Sequence, residues 1–210
     1  MCQKQVDKEH YQFDKYVNKK RWMSIWHQVD ELLAVNPKSA LEIGPGPGLF
    51  KSLAEHFGIS VVTMDLDQEL RPDYVGSATD LPFKDNVFDC VCAFQVLEHL
   101  PYKKALQAFE EMIRVTRNHI IISLPDSRTL YPCYFHLPKI GKVIYNIPSP
   151  RFWSTPHKFN GLHYWEINKK DYGLRKIIYD FTQKKVVIKK TYRVKENPYY
   201  RFFIFCKKKD

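Results

Sequence analysis

The 210-residue chain lacks the features that mark membrane, secreted and repeat proteins. It contains no run of about eighteen apolar residues, so we expect no membrane-spanning helix. Residues 1–10 are polar and charged without an apolar core, which argues against a secretory signal. Neither an internal repeat nor a low-complexity tract occurs. We therefore expect a single domain over residues 1–210, built around one buried core.

Cysteine is scarce, and none of the five cysteines belongs to a C-x-x-C pair. Cys90 and Cys92 lie two apart on a predicted strand, so both should be small core residues on one face. An odd number of cysteines without a metal or redox pattern predicts a reduced, cytoplasmic protein.

Glycine is infrequent, yet three of the eight glycines stand at alternate positions, Gly44, Gly46 and Gly48. The preceding Leu41-Glu42-Ile43 is typical of the end of a buried strand, and a helix is expected over residues 49–57. Glycines allow unusual backbone torsions and let a ligand lie against bare peptide. The helix would direct free N–H groups at that ligand, so the loop predicts a nucleotide-like cofactor. An ordinary tight turn is the alternative.

Two families of cofactor compete for this pattern. Dinucleotide enzymes use G-x-G-x-x-G, whereas here the third glycine comes one residue early and Glu42 stands just before the turn. The string resembles E-x-G-x-G-x-G, the first motif of class I methyltransferases that use S-adenosylmethionine. The amino group and sulfonium of that cofactor are cationic, which suits a nearby carboxylate such as Glu42.

Three further motifs follow in order. A β-branched run over residues 59–65 ends in Asp65, some twenty residues after Gly44, where a carboxylate is expected to hold ribose hydroxyls. D-L-P-F follows at residues 80–83, and then F-D-C-V at 88–91 with L-E-H at 97–99. Across residues 38–125 the succession resembles the type 11-like subgroup of class I methyltransferases, which includes many small-molecule and lipid methylating enzymes.

The resemblance implies S-adenosylmethionine as the cofactor and gives each matching position a role. The three glycines would line its methionine part and ribose, Glu42 would support its amino group, and Asp65 would bind the ribose hydroxyls. The expected cofactor-binding residues are Glu42, Gly44, Gly46, Gly48, Asp65, Leu66, Asp80, Leu81 and Gln95. As an alternative, Asp65 would be the N-cap of a helix.

On the adenine side, the resemblance implies that Leu66 packs on the ring and that Asp80 accepts from its amino group. Leu81 would offer its backbone N–H, and the carbonyl of Gln95 would meet the amino group of the methionine part. A turn that starts at Asp80, before Pro82, is the alternative for that acid.

The resemblance also implies the fold. We expect an α/β architecture, a Rossmann-like, doubly wound, three-layer α/β/α arrangement around a seven-stranded, mostly parallel sheet with an antiparallel C-terminal hairpin. Residues 1–36 would form a helical cap over the cofactor cleft, or alternatively a helix that only packs on the sheet, and residues 37–124 the cofactor-binding core. Helices are expected over residues 11–35, 101–116 and 167–183. Strands are expected over residues 118–124, 185–194 and 199–206.

Residues 125–166 are too long for a plain connector and are rich in aromatic residues. These are Tyr131, Tyr134, Phe135, Tyr145, Phe152, Trp153, Phe159, Tyr164 and Trp165. Several prolines argue against a long helix there. Because ligands bind beyond the carboxyl ends of parallel strands, we interpret this insertion as an acceptor-binding lid. An aromatic mini-core packed on the sheet is the alternative. Residues 167–210 would complete the domain.

Methyl transfer from a sulfonium is an in-line displacement, which depends largely on alignment. A hydroxyl acceptor would benefit from a general base, and histidine suits neutral pH. His99, just after the fourth strand, is the first candidate for this role, and His157 and His163 are the second; support of the loop is the alternative for His99. The histidines lack a compact ligand spacing such as H-E-x-x-H, so no metal site is predicted.

The formal net charge is +10, and ten of the 33 basic residues lie from Gln183 onward against two acids, Glu196 and Asp210. Such a basic C-terminal region could bind RNA, an anionic membrane surface or a phosphorylated carrier. A solvated face of edge strands is the simpler interpretation. No added RNA-binding motif occurs, so nucleic acid ranks second as a partner.

Three functional hypotheses follow. The first is a methyltransferase with a small-molecule, sugar or lipid-linked acceptor, with O-methylation slightly favoured. The second is a methyltransferase of RNA or protein that uses the basic C-terminal face. The third is a non-catalytic protein that binds S-adenosylmethionine.

Overall fold

A computed structural model describes residues 8–150 and 155–208, so residues 1–7, 151–154 (with the aromatic Phe152 and Trp153) and 209–210 lie outside the described part. The helices are α1 (Phe13–Tyr16), α2 (Lys19–Val35), α3 (Leu49–His56), α4 (Tyr102–Val115) and α5 (Leu174–Thr182), and 3₁₀ turns cover Lys8–Tyr11, Gln68–Leu70 and Leu97–His99. The strands are β1 (Ser39–Ile43), β2 (Ser60–Asp65), β3 (Tyr74–Val75), β4 (Phe88–Phe94), β5 (Thr116–Pro125), β6 (Leu130–Leu137), β7 (Gly141–Pro148), β8 (Val186–Arg193) and β9 (Tyr200–Lys207).

Seven strands form the main sheet in the order β3-β2-β1-β4-β5-β9-β8. The first five are parallel to one another, and β9 and β8 are each antiparallel to the preceding strand in that order. Central parallel strands are covered on both faces, which explains the continuous apolar sequence of β4. The predicted seven-stranded, mostly parallel sheet with an antiparallel C-terminal hairpin is confirmed.

Helices cover both faces of this sheet. On one face, α4 and α5 bury Phe109 and Phe181, whose ring centroids are 4.4 Å apart. On the other, α2 and α3 bury Leu32 and Phe50. Each such buried side chain contributes about 1.5–3 kcal/mol relative to exposure. The three-layer arrangement is confirmed, and it places the carboxyl ends of β1, β2, β4 and β5, hereafter the carboxyl edge, along one side of the molecule.

Two predicted helical segments can be compared with the observed helices. The N-terminal segment forms two helices, because Asn18 starts α2 by accepting a hydrogen bond from the Arg21 N–H (2.9 Å). The helix predicted over residues 167–183 is wrong at its start, since α5 begins only after Gly173. Asn168 and Asp171 adopt left-handed torsions (φ 68° at both), so the chain turns there.

Among the described residues, no helix has the length and apolarity needed to cross a bilayer.

Candidate functional site

The glycine-rich turn leaves β1 at the carboxyl edge. Gly44, Gly46 and Gly48 have φ values of 72°, 53° and 75°, a region that strongly favours glycine. The Gly44 N–H donates to the Met64 carbonyl at the end of β2 (2.9 Å). A Cβ at position 44 would lie 2.5 Å from Val96 Cγ2, just after β4. The turn therefore requires glycine and packs between the ends of β2 and β4.

Glu42 lies in β1, one residue before its end, and its side chain is directed into the protein. The residue is only 3% exposed, and no described residue bonds to its Oε2 atom. Burial raises the pKa of this carboxyl to about 8; the charge of Lys51 acts in the opposite direction, and that of Asp65 adds to the rise. An unmatched buried carboxyl is costly, and a cationic ligand group would relieve that cost. The predicted role of Glu42 toward an amino group fits this geometry.

Asp65 ends β2 beside the glycine turn. Its Oδ1 accepts the N–H of Asp67 (2.9 Å), and burial raises the pKa of the carboxyl. The helix-cap alternative is wrong, because Asp67 rather than Asp65 caps the 3₁₀ turn Gln68–Leu70. The neighbouring Leu66 is 42% exposed. Such exposure in the protein without ligands is compatible with the predicted packing of Leu66 on a ligand ring.

The D-L-P-F motif lies in the turn after β3. Asp80 is exposed, so its predicted contact with adenine stays a prediction. The Leu81 N–H, expected to face the adenine, donates instead to Glu111 Oε2 (2.9 Å). Arg114 Nη2 also donates to the Leu81 carbonyl (2.9 Å). Leu81 is therefore held by α4, which counts against its N–H as a cofactor donor.

The aromatic N-terminal segment lies against the glycine turn. A Cβ at Gly46 would lie 3.0 Å from Tyr11 Cε1 and 3.6 Å from Tyr16 Oη. The two tyrosine rings are 5.0 Å apart, and the Arg21 guanidinium stacks 4.4 Å from the centroid of Tyr16. Burial raises the pKa of Tyr11 to about 12, and Tyr16 and Asp65 add to the rise. This geometry fits a cap over the cofactor cleft better than a purely structural helix.

Gln95 follows β4 with φ 54°, a left-handed torsion that is uncommon for residues other than glycine. Its Nε2 donates to Ser123 Oγ at the end of β5, and its Oε1 accepts from Arg21 Nη1 (3.2 Å). Such backbone strain concentrates at ligand sites and persists only where neighbours hold it. The sequence singled out Gln95 by its motif, but it gave no signal for its partner Arg21.

The three predicted catalytic histidines come together beyond β4. His99 Nδ1 lies 3.0 Å from the Leu162 carbonyl, and the His99 and His163 rings meet edge to face with centroids 5.0 Å apart. His157 Nε2 lies 2.8 Å from the His163 carbonyl. A carbonyl only accepts, so both rings donate in these bonds. His157 therefore supports the backbone of His163, while His99 and His163 face each other.

Two glutamates that sequence reasoning missed complete this cluster. Glu98 is fully buried, and no other described residue bonds to either carboxylate oxygen; burial raises its pKa to about 7, against the effect of His163. Glu166 Oε1 accepts from His163 Nδ1 (2.9 Å) and from the Tyr199 hydroxyl (2.8 Å). Burial alone would lower the pKa of His163, but its hydrogen bond to Glu166 raises this pKa. Only the L-E-H motif pointed toward Glu98.

The aromatic insertion divides into two parts. The first is the ribbon β6–β7, where Tyr134 is 64% exposed. The second, residues 155–167, is here called the anchor segment. Within it the Tyr164 N–H donates to the Glu98 carbonyl (2.9 Å), and the fully buried Trp165 donates through Nε1 to the Leu100 carbonyl (3.1 Å). The mini-core interpretation therefore applies to the anchor segment, and the lid interpretation remains a prediction for the ribbon.

Several of the C-terminal cations are paired within the fold. Arg201 Nε lies 2.9 Å and Arg193 Nη1 lies 3.4 Å from the buried Asp126 carboxylate. Lys190 Nζ lies 2.6 Å from the buried Glu31. These pairs favour a structural role for this part of the basic end over RNA binding.

The strand order, the antiparallel β9 and β8, the glycine turn after β1 and the acids on β1 and β2 are shared with one class of protein. This class is the class I methyltransferases, whose methyl donor is S-adenosylmethionine. Residues 41–122 match the family model described as a methyltransferase domain, so this part of the chain is similar to that family.

Similar proteins carry related names. An uncharacterized methyltransferase of Mycobacteroides abscessus is 32% identical over 108 residues, which are 44% of this chain and 40% of that protein. A demethylmenaquinone methyltransferase of Renibacterium salmoninarum is 32% identical over 108 residues, 47% of this chain and 44% of that protein. The chain therefore spans less than half the length of these curated relatives.

Among solved structures, the 1,6-didemethyltoxoflavin-N1-methyltransferase of Burkholderia thailandensis has a TM-score of 0.62 and 13% identity. The match covers 89% of this chain and 79% of that one, whose crystal structure contains 1,6-didemethyltoxoflavin and S-adenosylhomocysteine. At this identity the likeness establishes the shared fold.

Proposed function

We propose that this protein transfers a methyl group from S-adenosylmethionine to a small-molecule or lipid-linked acceptor, with oxygen as the favoured acceptor atom. One observation carries the cofactor part: Glu42 and Asp65 lie near the ends of neighbouring strands, on either side of a turn made of three left-handed glycines. A buried carboxylate with an unmatched oxygen suits the cationic amino group. An acid at the end of β2 suits ribose hydroxyls.

The residues of the chain would bind and align rather than react. S-adenosylmethionine, when bound, supplies an electrophilic methyl group. Glu42 and the glycine turn would hold its methionine part, and Asp65 its ribose. Tyr11 and Tyr16, which lie over Gly46, would exclude water from that side. Alignment of this kind accounts for a large share of the rate of an in-line displacement.

His99 is the residue proposed to take the acceptor proton. Its Nδ1 donates to the Leu162 carbonyl, so in the neutral ring the lone pair is on Nε2. A general base raises the rate by about 10²–10⁴-fold when the acceptor is a hydroxyl. The similar proteins do not narrow the acceptor atom, because their names refer to chemically different acceptors.

The surface of the ribbon favours a methyl acceptor that has an apolar part. Its cross-strand pairs place apolar side chains together on one face, and most of these are exposed. They are Tyr131, Phe135, Leu137, Tyr145 and Ile147. An exposed apolar face of this kind marks a binding surface.

Radiolabelled methyl transfer tests the proposal. The protein is incubated with methyl-labelled S-adenosylmethionine and a cell extract separated into metabolite, lipid, RNA and protein fractions. We expect label in the metabolite or lipid fraction with the wild-type protein, and background label with Asp65→Ala. Label confined to RNA or protein would contradict the acceptor class. No label in any fraction, with intact cofactor binding, would support a non-catalytic binding protein instead.

A further inference from the structure

We propose that Glu98, His99 and His163 form a binding site for one divalent first-row transition metal ion of the Zn²⁺ type. One potential ligand atom from each of the three residues lies within 4.8 Å of the other two. The proposal goes beyond the proposed methyl transfer, since binding of the ion requires no methyl transfer. While His99 Nε2 binds the ion it cannot take an acceptor proton, so the two uses of His99 exclude each other. The histidines are 64 residues apart in the sequence, so no spacing rule could have paired them.

The carboxylate of Glu98 supplies the strongest argument. It is fully buried, and apart from its own backbone N–H no described residue donates a hydrogen bond to either of its oxygens. Leaving a carboxylate buried without partners is costly, and proteins resolve this by pairing it or by coordinating a metal. The backbone carbonyl of Glu98 accepts the Tyr164 N–H (2.9 Å), which holds Glu98 beside the anchor segment that carries His163.

The two imidazoles are oriented as metal ligands usually are. His163 Nδ1 lies 2.9 Å from Glu166 Oε1, and His99 Nδ1 lies 3.0 Å from the Leu162 carbonyl. Each ring therefore carries its hydrogen on Nδ1 and its lone pair on Nε2 when neutral. Metal-bound histidines almost always donate their other N–H to a carboxylate or a backbone carbonyl in this way. Tyr199 in turn donates to Glu166 and holds that carboxylate in place.

The ligand set selects the kind of ion. Two imidazoles and one carboxylate suit zinc and its first-row neighbours, whereas magnesium and calcium prefer oxygen ligands alone. Such an ion, at about 2.0–2.2 Å from each ligand, would draw the three atoms to within roughly 3–4 Å of one another. The three side chains would have to close from the observed separation of up to 4.8 Å when the ion binds.

A second histidine–carboxylate pair in this fold provides a matched control. His27 Nε2 lies 3.4 Å from Glu196 Oε2, and the side chains of His27 and His163 are both 16% exposed. Among the described residues, only the cluster with Glu98 brings three potential ligands together. Loss of His27 removes a half-buried imidazole of similar exposure without touching the proposed site.

Cobalt titration tests the site without any need for turnover. Tag-free, full-length protein is treated with a chelator, dialysed, and titrated with Co²⁺ at pH 8, where histidine is mostly neutral. We expect visible d–d absorption that saturates at one ion per chain and disappears when Zn²⁺ is added. Glu98→Gln and His163→Ala should each weaken binding at least 100-fold, and Glu166→Gln should weaken it about 10–100-fold. His27→Ala should bind as the wild type does.

The wild-type titration alone can overturn the proposal. Well below one Co²⁺ per chain, or no visible band, would mean that Glu98 is accommodated in another way. Unchanged affinity in folded Glu98→Gln or His163→Ala protein, judged by circular dichroism, would place the ion elsewhere. Methyl-transfer activity plays no part in these readouts, so failure of the proposed function leaves the result intact.

Discussion

The carboxyl edge of the main sheet and the β6–β7 ribbon use polar and apolar groups in opposite ways. At the edge, the carboxylates of Glu42 and Glu98 are buried, and no other described residue bonds to Glu42 Oε2 or to either oxygen of Glu98. On the ribbon, apolar side chains such as Tyr134 and Phe135 are exposed. Each arrangement costs stability in a protein without ligands, since buried acids and exposed aromatics are both disfavoured.

The contrast indicates that the carboxyl edge and the ribbon have different roles. The edge is rigid, because its groups lie at the ends of strands that are buried on both faces. Among the described strands, those of the ribbon pair only with each other, and an isolated two-stranded pair contributes little stability. We therefore expect substitutions at the edge to change stability and cofactor affinity, and substitutions on the ribbon to change acceptor recognition alone.

The largest expected effect separates the anchor segment from the ribbon. Trp165→Ala should lower the free energy of unfolding by about 3–5 kcal/mol, because it empties a fully buried site and removes the bond to the Leu100 carbonyl. Tyr134→Ala should change it by less than about 0.5 kcal/mol. Urea denaturation measures both. Similar values for the two variants would remove the distinction drawn between these parts of the insertion.

The next effect concerns the cofactor. Asp65→Ala should weaken binding of S-adenosylhomocysteine by about 2–3 kcal/mol, roughly 30- to 150-fold, because a charged acceptor for ribose hydroxyls is lost. Calorimetric titration measures the change, and Asp30→Ala, at an exposed acid on α2, is the control. An affinity unchanged by Asp65→Ala would refute the ribose assignment.

Glu42 should give a pH-dependent stability. Burial raises its folded-state pKa to about 8, above the unfolded value of about 4.3, so its contribution is fully present at low pH and is lost as the pH rises through 8. The unfolding free energy of Glu42→Gln relative to that of the wild type should therefore rise by roughly 2–3 kcal/mol between pH 5 and pH 7. The same variant should bind S-adenosylhomocysteine more weakly. A stability difference that does not vary with pH would contradict the burial argument.

The smallest effect tests the ribbon itself. Phe135→Ser combined with Tyr145→Ser, on one apolar face, should leave cofactor affinity unchanged and stability within about 0.5 kcal/mol. Once the acceptor is known, its KM should rise several-fold while kcat stays near the wild-type value. A double variant with normal KM would mean that the ribbon does not contact the acceptor.

The sequence predicted those parts of the site that are local in the chain. The torsions of Gly44 and the position of Asp65 follow from short motifs at strand ends, because the local sequence there determines how the chain turns. The start of α5 was missed, since left-handed torsions at Asn168 and Asp171 carry no strong sequence signal. The sequence also gave no signal for the long-range bond from the Leu81 N–H to Glu111, which counts against the predicted backbone role of Leu81.

Contacts between distant segments account for what the sequence could not reveal. Arg21 reaches Gln95 across 74 positions, and His99 meets His163 only because the anchor segment returns to the end of β4. The burial of Glu98 is likewise a property of the assembled fold. Motif spacing reports on neither kind of contact, because both depend on how the insertion and the N-terminal helices pack.

Titration of the full-length wild-type protein with S-adenosylhomocysteine and, separately, with NAD tests the central claim most directly. If the turn between Glu42 and Asp65 binds a sulfonium nucleoside, S-adenosylhomocysteine should bind with one site per chain at micromolar or better affinity, and NAD should give no heat. Binding of NAD in competition with S-adenosylhomocysteine, or no binding of S-adenosylhomocysteine at millimolar concentration, would contradict it.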